Sequence, residues 1–277
     1  MDNMNDSFVT VDRKKMFFQS WSPSGEPEMV IALIHGLGEH SGRYRHWAEK
    51  FFWIKVAFAA FDLRGHGLSG GRRGNIPSME IALSDIESFL EKVATKFPGI
   101  PVILYGNSLG GNLALNYVIE RHSNLAGLII TSPWLRLSMP VPVYKMVLAS
   151  LFGSLAPSIT QPNGLDFGYL SRDKKVAEQY KSDSLVHDRI SAGLFLSATR
   201  GGEKAIRMAG NIHIPVLLMH GTADAITSPE GSKSFSENAG NNVTLKLWDG
   251  FYHELHNEPE KDDVFSFIAG WLSKNIG

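Results

Sequence analysis

The sequence contains no cysteine. That excludes disulfides, cysteine-ligated zinc and a thiol nucleophile, and it fits a reducing compartment. Neither charge is in excess: 27 Lys+Arg stand against 28 Asp+Glu, for a net charge of -1. Nucleic-acid binding needs a clustered basic surplus, so no nucleic-acid partner is expected. No uninterrupted apolar run approaches the ~20 residues of a membrane-spanning helix. The opening MDNMNDSFVTVDRKK carries acids early and has no apolar stretch after a basic start, so it does not read as a secretory signal. The expectation is a cytoplasmic protein.

What remains is an ordinary globular composition, 43% hydrophobic and 20% charged in 277 residues. That length supports one large domain with a sizeable core. Phe8 to Trp21 alternates loosely around the charged centre Asp12 to Lys15, which predicts an antiparallel hairpin at a sheet edge. Short apolar runs ending in glycine or a turn follow: MVIALIHG, VAFAAFDLRG, PVILYGNS, AGLIITSP and PVLLMHG. Each reads as a strand buried on both faces. Between them, Ser78 to Phe97 is an amphipathic helix stopped by Pro98, and Leu109 to His122 is a second helix. Alternating strands and helices predict a mostly parallel sheet with helices on both faces. The site belongs at the carboxyl ends of its strands.

The rhythm breaks after Trp134. No convincing strand signal appears from Leu135 to about Met208, so residues 135–208 are expected to form an inserted helical lid. Residues 1–134 and 209–277 then form the α/β core, closed by the strand VTLKLWDG and a helix from Lys261 to Asn275. No internal repeat or low-complexity tract is seen.

Tyr105 to Gly111 reads YGNSLGG, placing Ser108 in Gly-x-Ser-x-Gly directly after a buried strand and before a helix. A serine on so sharp a turn projects its hydroxyl above the sheet, and small residues at 106 and 110 avoid crowding it. A hydroxyl is a weak nucleophile and needs a base. In this architecture the order is serine, acid, histidine. Asp224 follows the strand PVLLMHG, and His253 lies in the loop after the last strand; Asp249 is the rival acid and His256 the rival base. Developing negative charge on the substrate needs backbone N–H donors. The loop GLG at 36–38 offers Leu37, and the residue after the nucleophile offers Leu109. His253-Glu254-Leu255-His256 falls one residue short of a zinc-binding His-Glu-x-x-His, so no metal is expected. The chemistry calls for no cofactor. GRRG, residues 71–74, reads as a solvated loop, with an anion or lipid head group as the alternative.

HGLGEHSGRY, DLRGHGLSGG, YGNSLGG, SPWL, DSLVH, HGTAD and YHELHNEPEK fall in the order found in one group of enzymes and cover nearly the whole chain. The sequence resembles the monoacylglycerol lipase and lysophospholipase branch of the α/β-hydrolases. The resemblance implies an α/β-hydrolase fold, a triad at Ser108, Asp224 and His253, and oxyanion donors at Leu37 and Leu109. It implies cleavage of carboxylic esters through an acyl-enzyme. Monoacylglycerols are the first expected substrates, lysophospholipids the second and small soluble esters the third. Acyl transfer to an alcohol other than water would use the same residues. A non-catalytic ligand-binding protein on this scaffold is the reading of a different class, against which the complete triad argues. The apolar stretch from Met139 to Leu155 is expected to wall an acyl tunnel and to touch a membrane or micelle surface transiently. Asn107 departs from the branch, where many relatives carry histidine, and the hydrogen bonding behind the nucleophile must differ there.

Overall fold

A computed structural model describes residues 2–121, 124–139 and 157–276. Its centre is an eight-stranded sheet in the order β1-β2-β4-β3-β5-β6-β9-β10. The hairpin β1 (Asp2–Val9) and β2 (Lys15–Ser22) forms one edge, and β2 runs antiparallel to β4 (Val56–Phe61). From β4 onward every pairing is parallel, through β3 (Met29–Ile34), β5 (Val102–Asn107), β6 (Gly127–Thr131), β9 (Val216–Gly221) and β10 (Val243–Trp248). This is the α/β-hydrolase fold, as expected.

The continuous apolar runs explain themselves in section. Val30, Ala32 and Ile34 of β3 pack on one side of the sheet, while Ile31 and Leu33 pack on the other. Leu104 and Ile103 divide in the same way in β5, as do Leu218 and Leu217 in β9. A strand covered on both faces has no polar face to alternate with. One side is covered by α2 (Met79–Lys96), α3 (Leu109–Glu120) and two later helices, Ala192–Arg207 and Pro229–Asn238; the other by α1 (Arg45–Phe51) and α7 (Lys261–Asn275). In α2 the Ser78 side chain caps the Ile81 N–H at 3.2 Å, and Ala82, Leu83, Ile86, Phe89 and Val93 form the buried stripe.

The segment after Trp134 differs from expectation in one respect. It contains strands: β7 (Thr160–Pro162) pairs antiparallel with β8 (Arg189–Ser191), and Leu137 bridges to Thr227. Three-residue strands are too short to show a period of two, so no pattern announced them. Helix α4 (Lys174–Ser182) lies between them, with Val176 and Tyr180 packed on Leu170 and Ile226. Helix α5 (Ala192–Arg207) joins the sheet's own helical layer, packing on α2, α3 and α6 (Pro229–Asn238). The expected apolar tunnel wall and membrane contact, 139–155, lies outside the described residues apart from Met139, and so does the end of the second expected helix, His122.

Candidate active site

Strand β5 ends at Asn107 and α3 begins at Leu109, so the chain reverses on Ser108 alone. Its backbone sits at φ 54 and ψ -117, which costs a residue with a Cβ about 1–3 kcal/mol. Several contacts impose that geometry. The Ser108 N–H donates to the Thr131 carbonyl at 3.0 Å, and the Ser108 carbonyl accepts from Asn112 and Trp134. The flanking glycines are dictated by contact. A Cβ at Gly110 would stand 2.1 Å from the Ile34 oxygen, and one at Gly106 would stand 2.5 Å from the Gly110 oxygen. Asn107, the departure from the branch pattern, is buried and accepts from Thr131 Oγ1 at 2.9 Å.

Asp224 follows β9, and His253 follows β10, the neighbouring strand. His253 Nδ1 stands 2.7 Å from Asp224 Oδ2. The other Asp224 oxygen, Oδ1, accepts from the backbone N–H groups of Ile226 and Thr227 at 2.8 and 3.0 Å. Burial pushes the Asp224 carboxyl up, but the charge of His253 and hydrogen bonds from His220 and His253 outweigh it and hold the group far below the usual carboxylate range. Burial pushes His253 down, and the Asp224 charge and hydrogen bond outweigh it, so the imidazole stays above its ordinary value. The two rivals sit elsewhere. Asp249 is exposed and accepts from Thr222 Oγ1. His256 is fully buried with its ring stacked 4.4 Å from that of Tyr44, and burial pushes it down to about 3.

The loop after β3 brings Gly36 against the elbow: a Cβ there would lie 3.2 Å from Ser108 Cβ. Leu37 is therefore next to the serine, and Leu109 opens α3 beside it. Among the described residues neither the Leu37 nor the Leu109 N–H has a hydrogen-bond partner. The loop is held from behind. His35 Nδ1 lies 2.8 Å from the Gly36 carbonyl, while its Nε2 accepts from the Leu63 N–H at 2.9 Å. Both contacts are satisfied by one tautomer, with hydrogen on Nδ1.

Residues 25–260 match the family described as serine aminopeptidase, S33. The chain belongs to that hydrolase family. It is 30% identical over 272 residues to a monoacylglycerol lipase of Mycolicibacterium smegmatis, covering 98% of this chain and 97% of that one. It is 38% identical over 273 residues to an abhydrolase domain-containing protein of Dictyostelium discoideum, 98% of this chain but only 29% of that protein. The crystal structure of Paleococcus ferrophilus monoacylglycerol lipase superposes with a TM-score of 0.85 at 37% identity, over 94% of this chain and 99% of that one. This S33 hydrolase is thus a serine hydrolase.

Two groups of residues around the site went unnoticed in the sequence. His220 is fully buried, and its Nε2 faces Asp224 Oδ2 at 3.1 Å and the Thr227 carbonyl at 3.0 Å. Two acceptors require hydrogen on that nitrogen, leaving Nδ1 to accept from Ser232 Oγ at 2.7 Å. Thr227 Oγ1 adds a contact to Asp224 Oδ2 at 2.9 Å. His220 lies inside HGTAD, so the signal was present without a role attached.

The second group is an ion cluster. Arg43 Nη1 is 2.6 Å from Glu39 Oε2 and 2.6 Å from Glu254 Oε1, while Nη2 reaches Glu254 Oε2 at 2.7 Å. Glu39 Oε1 accepts from the Gly36 N–H at 2.6 Å and from Tyr44 Oη at 2.8 Å. The cluster therefore ties the loop carrying Leu37 to the residue after His253. Burial raises the Glu254 carboxyl, but the Arg43 charge and hydrogen bonds outweigh it and hold the group well below its ordinary value. Segment 169–170 also grips the histidine loop, with the Glu254 N–H donating to the Leu170 carbonyl at 2.7 Å.

Proposed function

We propose that the chain hydrolyses monoacylglycerols to fatty acid and glycerol through an acyl-enzyme on Ser108. What supports this is the Asp224–His253 pair, on the segments that follow β9 and β10, together with a serine held at positive φ on the Gly-x-Ser-x-Gly turn that follows β5 in the same parallel sheet. Hydrogen on His253 Nδ1 faces Asp224 and leaves Nε2 to accept the Ser108 proton. The oxygen of Ser108 attacks the ester carbonyl as that proton leaves. The amides of Leu37 and Leu109 stabilise the oxyanion. His253 protonates the departing glycerol oxygen, and water then repeats the sequence on the acyl-serine. Asp224 holds the imidazole in its tautomer and stabilises the charged form.

The substrate class is supported by the relatives named for it, and by the apolar composition of residues 139–155. Residues 157–191 supply cover over the strand ends, with α5 as its anchor in the core layer. Met139 and Ile159, on either side of the apolar segment, are 74% and 52% exposed, which supports peripheral contact of a cytoplasmic enzyme with a lipid surface. Among the described residues no helix is long and apolar enough to cross a membrane.

The test is hydrolysis of 1-monooleoylglycerol by purified protein, with both products quantified, beside a series of shorter acyl esters. Turnover should fall away for chains too short to fill an acyl tunnel. Equal turnover of acetyl and oleoyl esters, or no release of glycerol, would overturn the reading.

A further inference from the structure

His220 is the next-to-last residue of β9 and precedes Asp224 by four positions. The strand residues before it, Leu217, Leu218 and Met219, belong to the core. An imidazole buried in such company costs free energy unless its nitrogens are bonded. Both nitrogens of His220 are. Nδ1 accepts from Ser232 Oγ of α6 at 2.7 Å, and Nε2 faces Asp224 Oδ2 at 3.1 Å and the Thr227 carbonyl at 3.0 Å. His256 makes the contrast. It is equally buried, yet among the described residues neither of its nitrogens has a partner, and its ring is held by stacking on Tyr44. Packing a histidine into this core does not by itself require the bonds that His220 makes.

His220 faces the carboxylate oxygen that meets His253. Asp224 Oδ1 is engaged by the amides of Ile226 and Thr227, while Oδ2 faces His253 Nδ1 at 2.7 Å. Thr227 Oγ1 lies 2.9 Å from Oδ2 and 3.0 Å from the Ser132 carbonyl, and its single hydrogen serves one acceptor at a time. His220 supplies the remaining donor to Oδ2, and its ring is rooted in the sheet. The strand end is closed around this contact. A Cβ on Gly221 would stand 2.3 Å from the Phe251 carbonyl oxygen, so the loop carrying His253 rests directly on the residue after His220.

We propose that His220 is a positioning residue for the reaction at Ser108: its Nε2–H fixes the Asp224 oxygen that receives His253 and draws off part of that oxygen's charge. The assignment rests on Asp224 and His253 as acid and base. His220 transfers no proton. Its one hydrogen is shared between Oδ2 and the Thr227 carbonyl, so its contribution is that of a divided hydrogen bond to a charged group, well short of a triad member's.

Loss of this donor leaves more negative charge on Oδ2 opposite His253. That charge favours the imidazolium, so the His253 pKa moves up. The Asp224 charge and, farther away, those of Glu254 and Glu39 raise His253, and the substitutions below touch none of the three. The other groups facing His220, Ser232 Oγ and the Thr227 carbonyl, carry no charge.

The test exploits side-chain length. Glutamine can place an amide N–H near the position of Nε2; asparagine reaches only as far as Nδ1, and methionine matches glutamine in length without a donor. The variants are compared with wild type by NMR titration of the His253 imidazole and by kcat for 1-oleoylglycerol. His220→Asn and His220→Met should each raise the His253 midpoint by about half a pH unit and lower kcat by about tenfold. His220→Gln should restore the wild-type midpoint and most of the rate. Methionine keeps the test open if the asparagine variant fails to fold. Rates that fall alike in all three variants, with the midpoint unmoved or lowered, would make His220 a packing residue and overturn the assignment. A wild-type protein that turns over no ester, while its His253 midpoint still rises in His220→Met and returns in His220→Gln, would sink the hydrolase reading and support the positioning role.

Discussion

Replacing Arg43 by methionine removes the cation shared by two buried carboxylates while keeping much of the side-chain volume. Glu39 and Glu254 each sit within 2.6 Å of Arg43 Nη1, so their oxygens lie within about 5 Å of one another. Two like charges at that separation repel by about 3 kcal/mol at an effective dielectric of about 20. Breaking a buried ion pair by deleting one partner typically costs about 3–5 kcal/mol, which agrees. At about 2–4 °C per kcal/mol for a chain of this size, Arg43→Met should lower the melting temperature by on the order of 10 °C. The pH dependence carries the sign. In the wild type, Glu254 is held below its ordinary value, so its contribution is present above the unfolded pKa of about 4.5 and is lost as pH falls through the folded value. In Arg43→Met the same carboxyl is buried without a cation, its pKa rises above the unfolded value, and the folded state gains stability on taking up a proton. The gap in melting temperature between wild type and variant should therefore be widest near pH 8 and should narrow toward pH 5. Scanning calorimetry across that range reads it directly. The combined variant Glu39→Gln, Arg43→Met, Glu254→Gln should recover part of the loss, because no charge is left uncompensated. A loss below about 1 kcal/mol, or a gap that does not change with pH, would refute the reasoning.

Further outcomes follow from the elbow and the triad. Ser108→Gly should abolish hydrolysis while raising the melting temperature, since glycine accepts positive φ and releases strain of about 1 kcal/mol or more; an unchanged or lower melting temperature counts against a strained turn. Gly110→Ala should destabilise by about 3 kcal/mol or more in urea unfolding, because the added methyl meets the Ile34 carbonyl, which belongs to the sheet and cannot retreat. The wild-type kcat/KM should rise with pH through a pKa above the ordinary histidine value, since the base works when neutral and Asp224 raises its pKa. Asp224→Asn should move that limb to lower pH and lower kcat by about ten-thousandfold; an unmoved limb would mean that His253 is not the group titrating.

The sequence carried the sheet well because its strands are covered on both sides, so that six-residue apolar runs such as VAFAAF admit one reading. The hairpin was visible from Phe8, but β1 begins at Asp2 in DNMND. Apart from Met4, which packs against the core, those residues are polar because the strand lies at an edge, and pairing with β2 more than burial makes it a strand. The ribbon of β7 and β8 was invisible for want of length. Ser108, Asp224 and His253 stood out because each follows a recognisable strand, in the order this fold imposes. The Arg43 cluster did not, for a different reason. Arg43 and Glu254 are 211 residues apart, and only the meeting of two loops over the strand ends makes them partners. Glu254 drew attention as part of a metal-like pattern, whereas its carboxylate is engaged by a guanidinium and an asparagine amide.

The most direct measurement is the crystal structure of the protein after reaction with a long-chain fluorophosphonate, with intact mass recorded before and after. The account predicts one adduct, on Ser108 Oγ, with the phosphoryl oxygen within hydrogen-bond distance of the Leu37 and Leu109 amides and His253 Nε2 turned toward the serine oxygen. A folded protein that gains no mass, or an adduct on any other residue, would contradict it.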